Sequence, residues 1–151
     1  DAMRSAETPH SFLGIDDDGR TVIVKTRGNK WGHVILRGGR EATNYDPASI
    51  ASAAERLAKS RLCSALMVDC SHANASKKFQ NQELVWRSVL DQRAAGAANL
   101  MGIMVESNLF EGNQPLPRDL SQLRYGVSIT DECLGWQKTE ELLRDSYKAL
   151  G

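Results

Sequence analysis

The chain has 151 residues, 41% of them hydrophobic, which is enough for one ordinary domain with a buried core. Lys and Arg number 19, as do Asp and Glu, and neither sign gathers into a block, so the basic stripe of a nucleic-acid binder is excluded. No apolar run approaches the roughly 18 residues of a membrane span, and the expected partners are small molecules or protein.

The chain opens DAMRSAETPH, with neither an initiator Met nor the layout of a secretory signal, and reads as a piece of something longer. HSFLGI from His10 and TVIVKT from Thr21 flank Asp16-Asp17-Asp18-Gly19-Arg20, an Asp-Gly turn between β-branched runs that predicts a hairpin. HVILRGG (His33–Gly39) predicts a strand stopped by two glycines. A helix follows, with Asp46 as N-cap, Pro47 in its first position, and Ile50, Ala53, Ala54 and Leu57 on one face.

ALMVDCSH (Ala65–His72) predicts the next strand, and Phe79, Trp86, Val89, Leu90 and Arg93 fall at helical spacing after it. LMGIMVES (Leu100–Ser107) predicts a third strand, which leads through a polar stretch with Pro115 and Pro117 and a brief YGVSITD (Tyr125–Asp131) to a last helix marked by Leu142, Leu143, Tyr147 and Leu150. Strands alternating with amphipathic helices give an α/β class with parallel pairing. Cys63, Cys70 and Cys133 are odd in number and lack CxxC spacing, which argues against a disulfide framework or structural zinc and for a reducing cytoplasm.

The apolar strand Ala65–Val68 finishes in Asp69, Cys70, Ser71, His72 and Asn74, polar atoms that a buried strand end has no reason to carry unless something uses them. Alternation along the strands groups His33, Ile35 and Arg37; Leu66, Val68, Cys70 and His72; and Leu100, Gly102, Met104 and Glu106. Arg37, His72 and Glu106 thus close three successive strands, where parallel α/β folds carry their sites. With Asp131 from a following loop, His72 and Glu106 form a mixed N/O set suited to Mn, Fe, Co or Zn. Arg37 beside Gly38 and Gly39 suits a phosphate or carboxylate.

Each residue also has a plainer role open to it. His72 could cap the next helix, with Asn74 and Ser76 as competing N-caps, and Glu106 and Arg37 could be ordinary salt-bridge partners. Asp131 beside Glu132 could be a dipole-favourable acid before a helix, and Cys70 a small apolar filler.

GHVILRGG (Gly32–Gly39), NYDPASI (Asn44–Ile50), DCSHANASKK (Asp69–Lys78), MVESNLFEGNQ (Met104–Gln114) and YGVSITDECLGW (Tyr125–Trp136) together resemble the class I 3-deoxy-D-arabino-heptulosonate 7-phosphate (DAHP) synthases. PHSFLG and TVIVKTRGN, within Pro9–Asn29, resemble the hairpin insertion of those enzymes. The resemblance runs through nearly the whole chain and covers only the C-terminal part of the longer family chains. It implies the C-terminal part of a (β/α)8 TIM barrel over residues 1–151, with a β-hairpin insertion at 9–29.

The reaction so implied condenses phosphoenolpyruvate with erythrose 4-phosphate to DAHP and phosphate, the first step of the shikimate pathway to aromatic amino acids. His72, Glu106 and Asp131 become ligands of a divalent metal ion, Arg37 contacts the phosphate of phosphoenolpyruvate, and Lys77 lies by the site. His72 and Arg37 carry the catalytic assignment, Arg37 and Lys77 that of substrate binding. A cysteine ligand and a cluster of Lys and Arg known in the family have no counterpart here, and none of the three cysteines sits in that ligand's motif. The isolated chain is therefore expected to be inactive and to associate with itself as a homo-oligomer. Against the enzyme stands a non-catalytic module binding a partner, such as an aromatic amino acid near the Pro9–Asn29 hairpin. A further alternative is the related synthase that uses arabinose 5-phosphate, although ILRGG and EGNQ look more like the tetrose enzyme.

Overall fold

A computed structural model describes residues 1–40 and 42–151. The chain begins with a short helix, α1 (Ala2–Glu7), followed by strands β1 (Ser11–Ile15) and β2 (Thr21–Lys25), which pair antiparallel. This opening helix has no apolar periodicity long enough to be read from sequence. Its contacts explain it: Asn29 N–H donates to the Ala6 carbonyl at 2.7 Å, and His10 Nε2 lies 2.8 Å from the Ser5 carbonyl. Gly28, at φ +79°, lets the chain after β2 press onto α1, since a Cβ there would lie 2.1 Å from the Glu7 carbonyl oxygen.

Three parallel strands follow in the order β3 (Val34–Leu36), β4 (Leu66–Asp69) and β5 (Leu100–Met104). They are connected through α2 (Pro47–Lys59) and α3 (Gln82–Ala94). Asp46 caps α2 as its sequence indicates, accepting from Ser49 N–H, with Pro47 in the first helical position. Two short parallel strands, β6 (Ser107–Asn108) and β7 (Leu134–Gly135), lead into α4 (Trp136–Leu150). Among the described residues no helix is long and apolar enough to cross a membrane.

The core gathers one face of the sheet against the helices. Leu36, Leu66, Val68, Cys70 and Leu100 pack with Ile50 and Leu57 of α2, Val85, Trp86 and Val89 of α3, and Leu142 of α4. The opposite face carries Ile35, Met67 and Gly102 in register and stays open, with Ile35 at 51% exposure. Trp86 Nε1–H donates to Ser146 Oγ at 2.7 Å and ties α3 to α4.

Tyr125–Asp131 is held by a bridge from Ser128 to Asn113 and by the Phe110 and Gln114 N–H groups, which donate to the Gly126 and Ser128 carbonyls. The Gln114 side chain adds to these: its Nε2 donates to the Arg124 and Val127 carbonyls, and its Oε1 accepts from Arg124 N–H. One expectation from sequence is corrected, the grouping of strand faces. The register sets Leu36 beside Val68 and Ile103, and Ile35 beside Met67 and Gly102. A bulge at Leu66/Met67 shifts β5 by one residue, so simple alternation cannot bring Arg37, His72 and Glu106 to one face.

Candidate metal centre

The site is built at the end of β4. Asp69, the last residue of that strand, alternates to the face opposite Leu66 and Val68. Cys70 still follows the core face, but His72 does not, because the chain leaves the strand and His72 adopts φ +50°. That left-handed turn swings the imidazole back over the strand end, where Nδ1 meets Asp69 Oδ2 at 2.8 Å. Asp69 Oδ1 accepts from Ser71 N–H, also at 2.8 Å. Ser76 and Lys77 are left-handed as well. Such conformations cost on the order of 1–3 kcal/mol each in non-glycine residues and concentrate at functional sites.

Glu106 arrives two residues past the end of β5 and is fixed from several sides. Buried Gln82, at the start of α3, accepts from Glu106 N–H at 2.8 Å and donates to its carbonyl at 3.2 Å. Leu134 N–H donates to the same carbonyl at 2.8 Å. Ser71 Oγ donates to Glu106 Oε2 at 2.9 Å, which leaves Oε1 turned toward His72. Asp131 completes the group from its loop.

His72 Nε2 stands 3.5 Å from Glu106 Oε1 and 3.8 Å from Asp131 Oδ2, and one ligand atom from each residue lies within 4.8 Å of the others. Ligand atoms at about 2.0–2.2 Å from a divalent ion are separated by roughly 3–3.6 Å, so a small movement of the exposed Asp131 closes the set. One imidazole nitrogen and two carboxylate oxygens, beside a third carboxylate at Asp69, also concentrate negative charge that a cation would offset. The donor set fits a divalent ion of the borderline class.

Arg37 and Lys77 line the same cavity, of about 750 Å³, together with His72, Glu106 and Asp131. All five residues singled out in the sequence are thus brought together. Gly38 makes the closure of this wall possible: it has φ +82°, and a Cβ would lie 2.7 Å from Ala73 Cβ and 2.8 Å from Asn74 N. Asn74 stitches the ends of β3 and β4. Its Nδ2 donates to the Leu36 and Asp69 carbonyls, and its Oδ1 accepts from Asn44 N–H, while Asn44 Oδ1 accepts from Gly38 N–H.

The plainer roles are answered by the same contacts. The residue preceding α3 is Asn81, so His72, Asn74 and Ser76 cap nothing there. No acid lies in the first turn of α4, and Asp131 and Glu132 instead border the cavity. Cys70 is a core filler, and burial pushes its thiol up to about 12. Asp69, Ser71, Gln82, Arg40 and Glu132 were not singled out as site residues. Asp69 and Ser71 carried a signal, as polar residues closing an apolar strand, whereas nothing near Gln82 marks it.

Residues 1–144 match the model of a family described as the DAHP synthetase I family. A curated relative from Salmonella typhimurium, a Tyr-sensitive phospho-2-dehydro-3-deoxyheptonate aldolase, is 45% identical over 149 residues, 99% of this chain and 42% of its own. The phenylalanine-inhibited phospho-2-dehydro-3-deoxyheptonate aldolase of Saccharomyces cerevisiae is 43% identical, over 95% of this chain and 40% of its own. The solved structure of phospho-2-dehydro-3-deoxyheptonate aldolase from Francisella tularensis superposes with a TM-score of 0.89 at 36% identity, covering 98% of this chain and 42% of that one. The chain thus spans about two-fifths of the length of these relatives.

Proposed function

Because the chain belongs to the DAHP synthetase I family, we propose that it forms the metal-binding, C-terminal part of a DAHP synthase, which joins phosphoenolpyruvate to erythrose 4-phosphate. In this reading residues 1–151 are part of a (β/α)8 barrel, and residues 9–29 are a hairpin inserted into it. The observation that carries the reading is the convergence of His72, Glu106 and Asp131 at the ends of parallel strands, in one cavity with Arg37 and Lys77.

His72, Glu106 and Asp131 would hold a divalent ion, Mn, Fe, Co or Zn, whose contribution when bound is Lewis-acid polarisation of the aldehyde oxygen of the tetrose. Arg37 offers a planar fork of donors, next to a backbone that Gly38 and Gly39 leave bare, and it holds the phosphate of phosphoenolpyruvate. Lys77 adds a point charge on the opposite loop. His72 keeps its ring at the mouth of the cavity, where the reacting atoms meet. Three unpaired thiols fit a reducing cytoplasm. The relatives' names differ in their effector, tyrosine in one and phenylalanine in another, so an aromatic amino acid is the class of regulator we assign.

Titration of Mn²⁺ into the chain and into a His72→Ala variant tests the site. The unmodified chain binds, and the variant loses at least tenfold in affinity. Equal, weak binding in both would favour a non-catalytic module. Both substrates are multiply anionic, and Arg37, Arg40 and Lys77 are too few cations to hold them, so the 151-residue chain alone is expected to bind metal and form no product.

A further inference from the structure

Resting on the metal centre read above, we propose that Asp69 and Ser71, which do not belong to the ligand set, are positioning residues: Asp69 sets which nitrogen of His72 carries the proton, and Ser71 sets which oxygen of Glu106 faces the ion. An ionised carboxylate only accepts hydrogen bonds. Asp69 uses both oxygens, Oδ1 for Ser71 N–H and Oδ2 for His72 Nδ1, each at 2.8 Å, and at 2% exposure water has little access to replace either partner. In the neutral ring the proton therefore sits on Nδ1, and the lone pair of Nε2 points at the ligand cluster. The rival tautomer would have Nε2–H donate to Glu106 or Asp131, but those oxygens lie at 3.5 and 3.8 Å, beyond ordinary hydrogen-bond length.

Ser71 serves both ligands at once. Its backbone N–H holds Asp69 and its hydroxyl holds Glu106 Oε2 at 2.9 Å, so Oε1 is the oxygen left for the ion. The left-handed turn at His72 is what returns the ring to a residue three positions earlier. Outer partners of this kind fix the ring and raise the basicity of the ligating nitrogen.

The chain has only three histidines, so nitrogen-detected imidazole NMR on the metal-free protein resolves the tautomer directly, with His10 and His33 as internal controls of folding. In the neutral form of its ring His72 is expected to show a protonated Nδ1 and a bare Nε2. In Asp69→Asn the amide oxygen stays on Ser71 N–H and the NH₂ turns to Nδ1, so the proton moves to Nε2; the same inversion of tautomer explains the loss seen on such replacement in catalytic triads. Mn²⁺ affinity, read by electron paramagnetic resonance, should then fall about 10–100-fold. Ser71→Ala should lower it roughly tenfold and leave the His72 tautomer unchanged. A neutral His72 ring protonated on Nε2 in the unmodified protein, or undiminished Mn²⁺ affinity in Asp69→Asn, overturns this proposal alone. An unmodified protein that shows the expected tautomer and binds no Mn²⁺ overturns the metal reading and this proposal with it.

Discussion

Gly38 shows how little room the site leaves at the level of one residue. A methyl group there would meet Ala73 Cβ at 2.7 Å and Asn74 N at 2.8 Å, in a backbone conformation that L residues rarely adopt. Gly38→Ala should cost on the order of 1–3 kcal/mol, visible as a lower denaturation midpoint, and should loosen the loop that presents Arg37. Cys70 behaves oppositely, as a group built to do nothing. Burial, helped by the neighbouring Asp69 charge, lifts its thiol to about 12 from the ordinary 9.0. The folded value lies above the unfolded one, so its contribution to stability is whole below pH 9 and is lost as the pH climbs toward 12. Iodoacetamide at pH 8, followed by peptide mass analysis, should label exposed Cys63 and spare Cys70.

At the scale of elements, α2 was legible in full because its signals are local: a capping Asp46, a Pro47 start and an apolar face that reappears in the core as Ile50 and Leu57. The Ser49 hydroxyl, then its N–H, hold the Asp46 carboxyl below its ordinary range. Asp46→Ala should cost about 1 kcal/mol in a chemical denaturation curve. Since the folded value is the lower one, that contribution is present at neutral pH and disappears as the solution is acidified through the carboxylate range. Tyr125–Asp131 carried no local signal of what it meets, because its partners, Phe110 and Gln114, lie more than ten residues earlier in the chain. The members of the site were legible from strand-end polarity and from motif resemblance, but the way they meet was not. Alternation placed His72 with Cys70 on the core face, and only the turn at φ +50° returns it to Asp69.

For the molecule as a whole, the three-stranded sheet is covered on one side by α2, α3 and α4 and bare on the other. Both of its edges are unpaired among the described residues, and Ile35 and Met101 are 51% and 55% exposed. Open parallel edges and an apolar face favour association. Sedimentation velocity should show species larger than a monomer, and Ile35→Lys should shift them toward the monomer. A compact monomer for the unmodified chain would refute this.

The amide of Asn74 reaches both strand ends at once, through the Leu36 and Asp69 carbonyls, and receives the Asn44 backbone in return. The two strand ends are therefore riveted by one side chain, so a strain applied where β3 finishes reaches the end of β4 through a single amide.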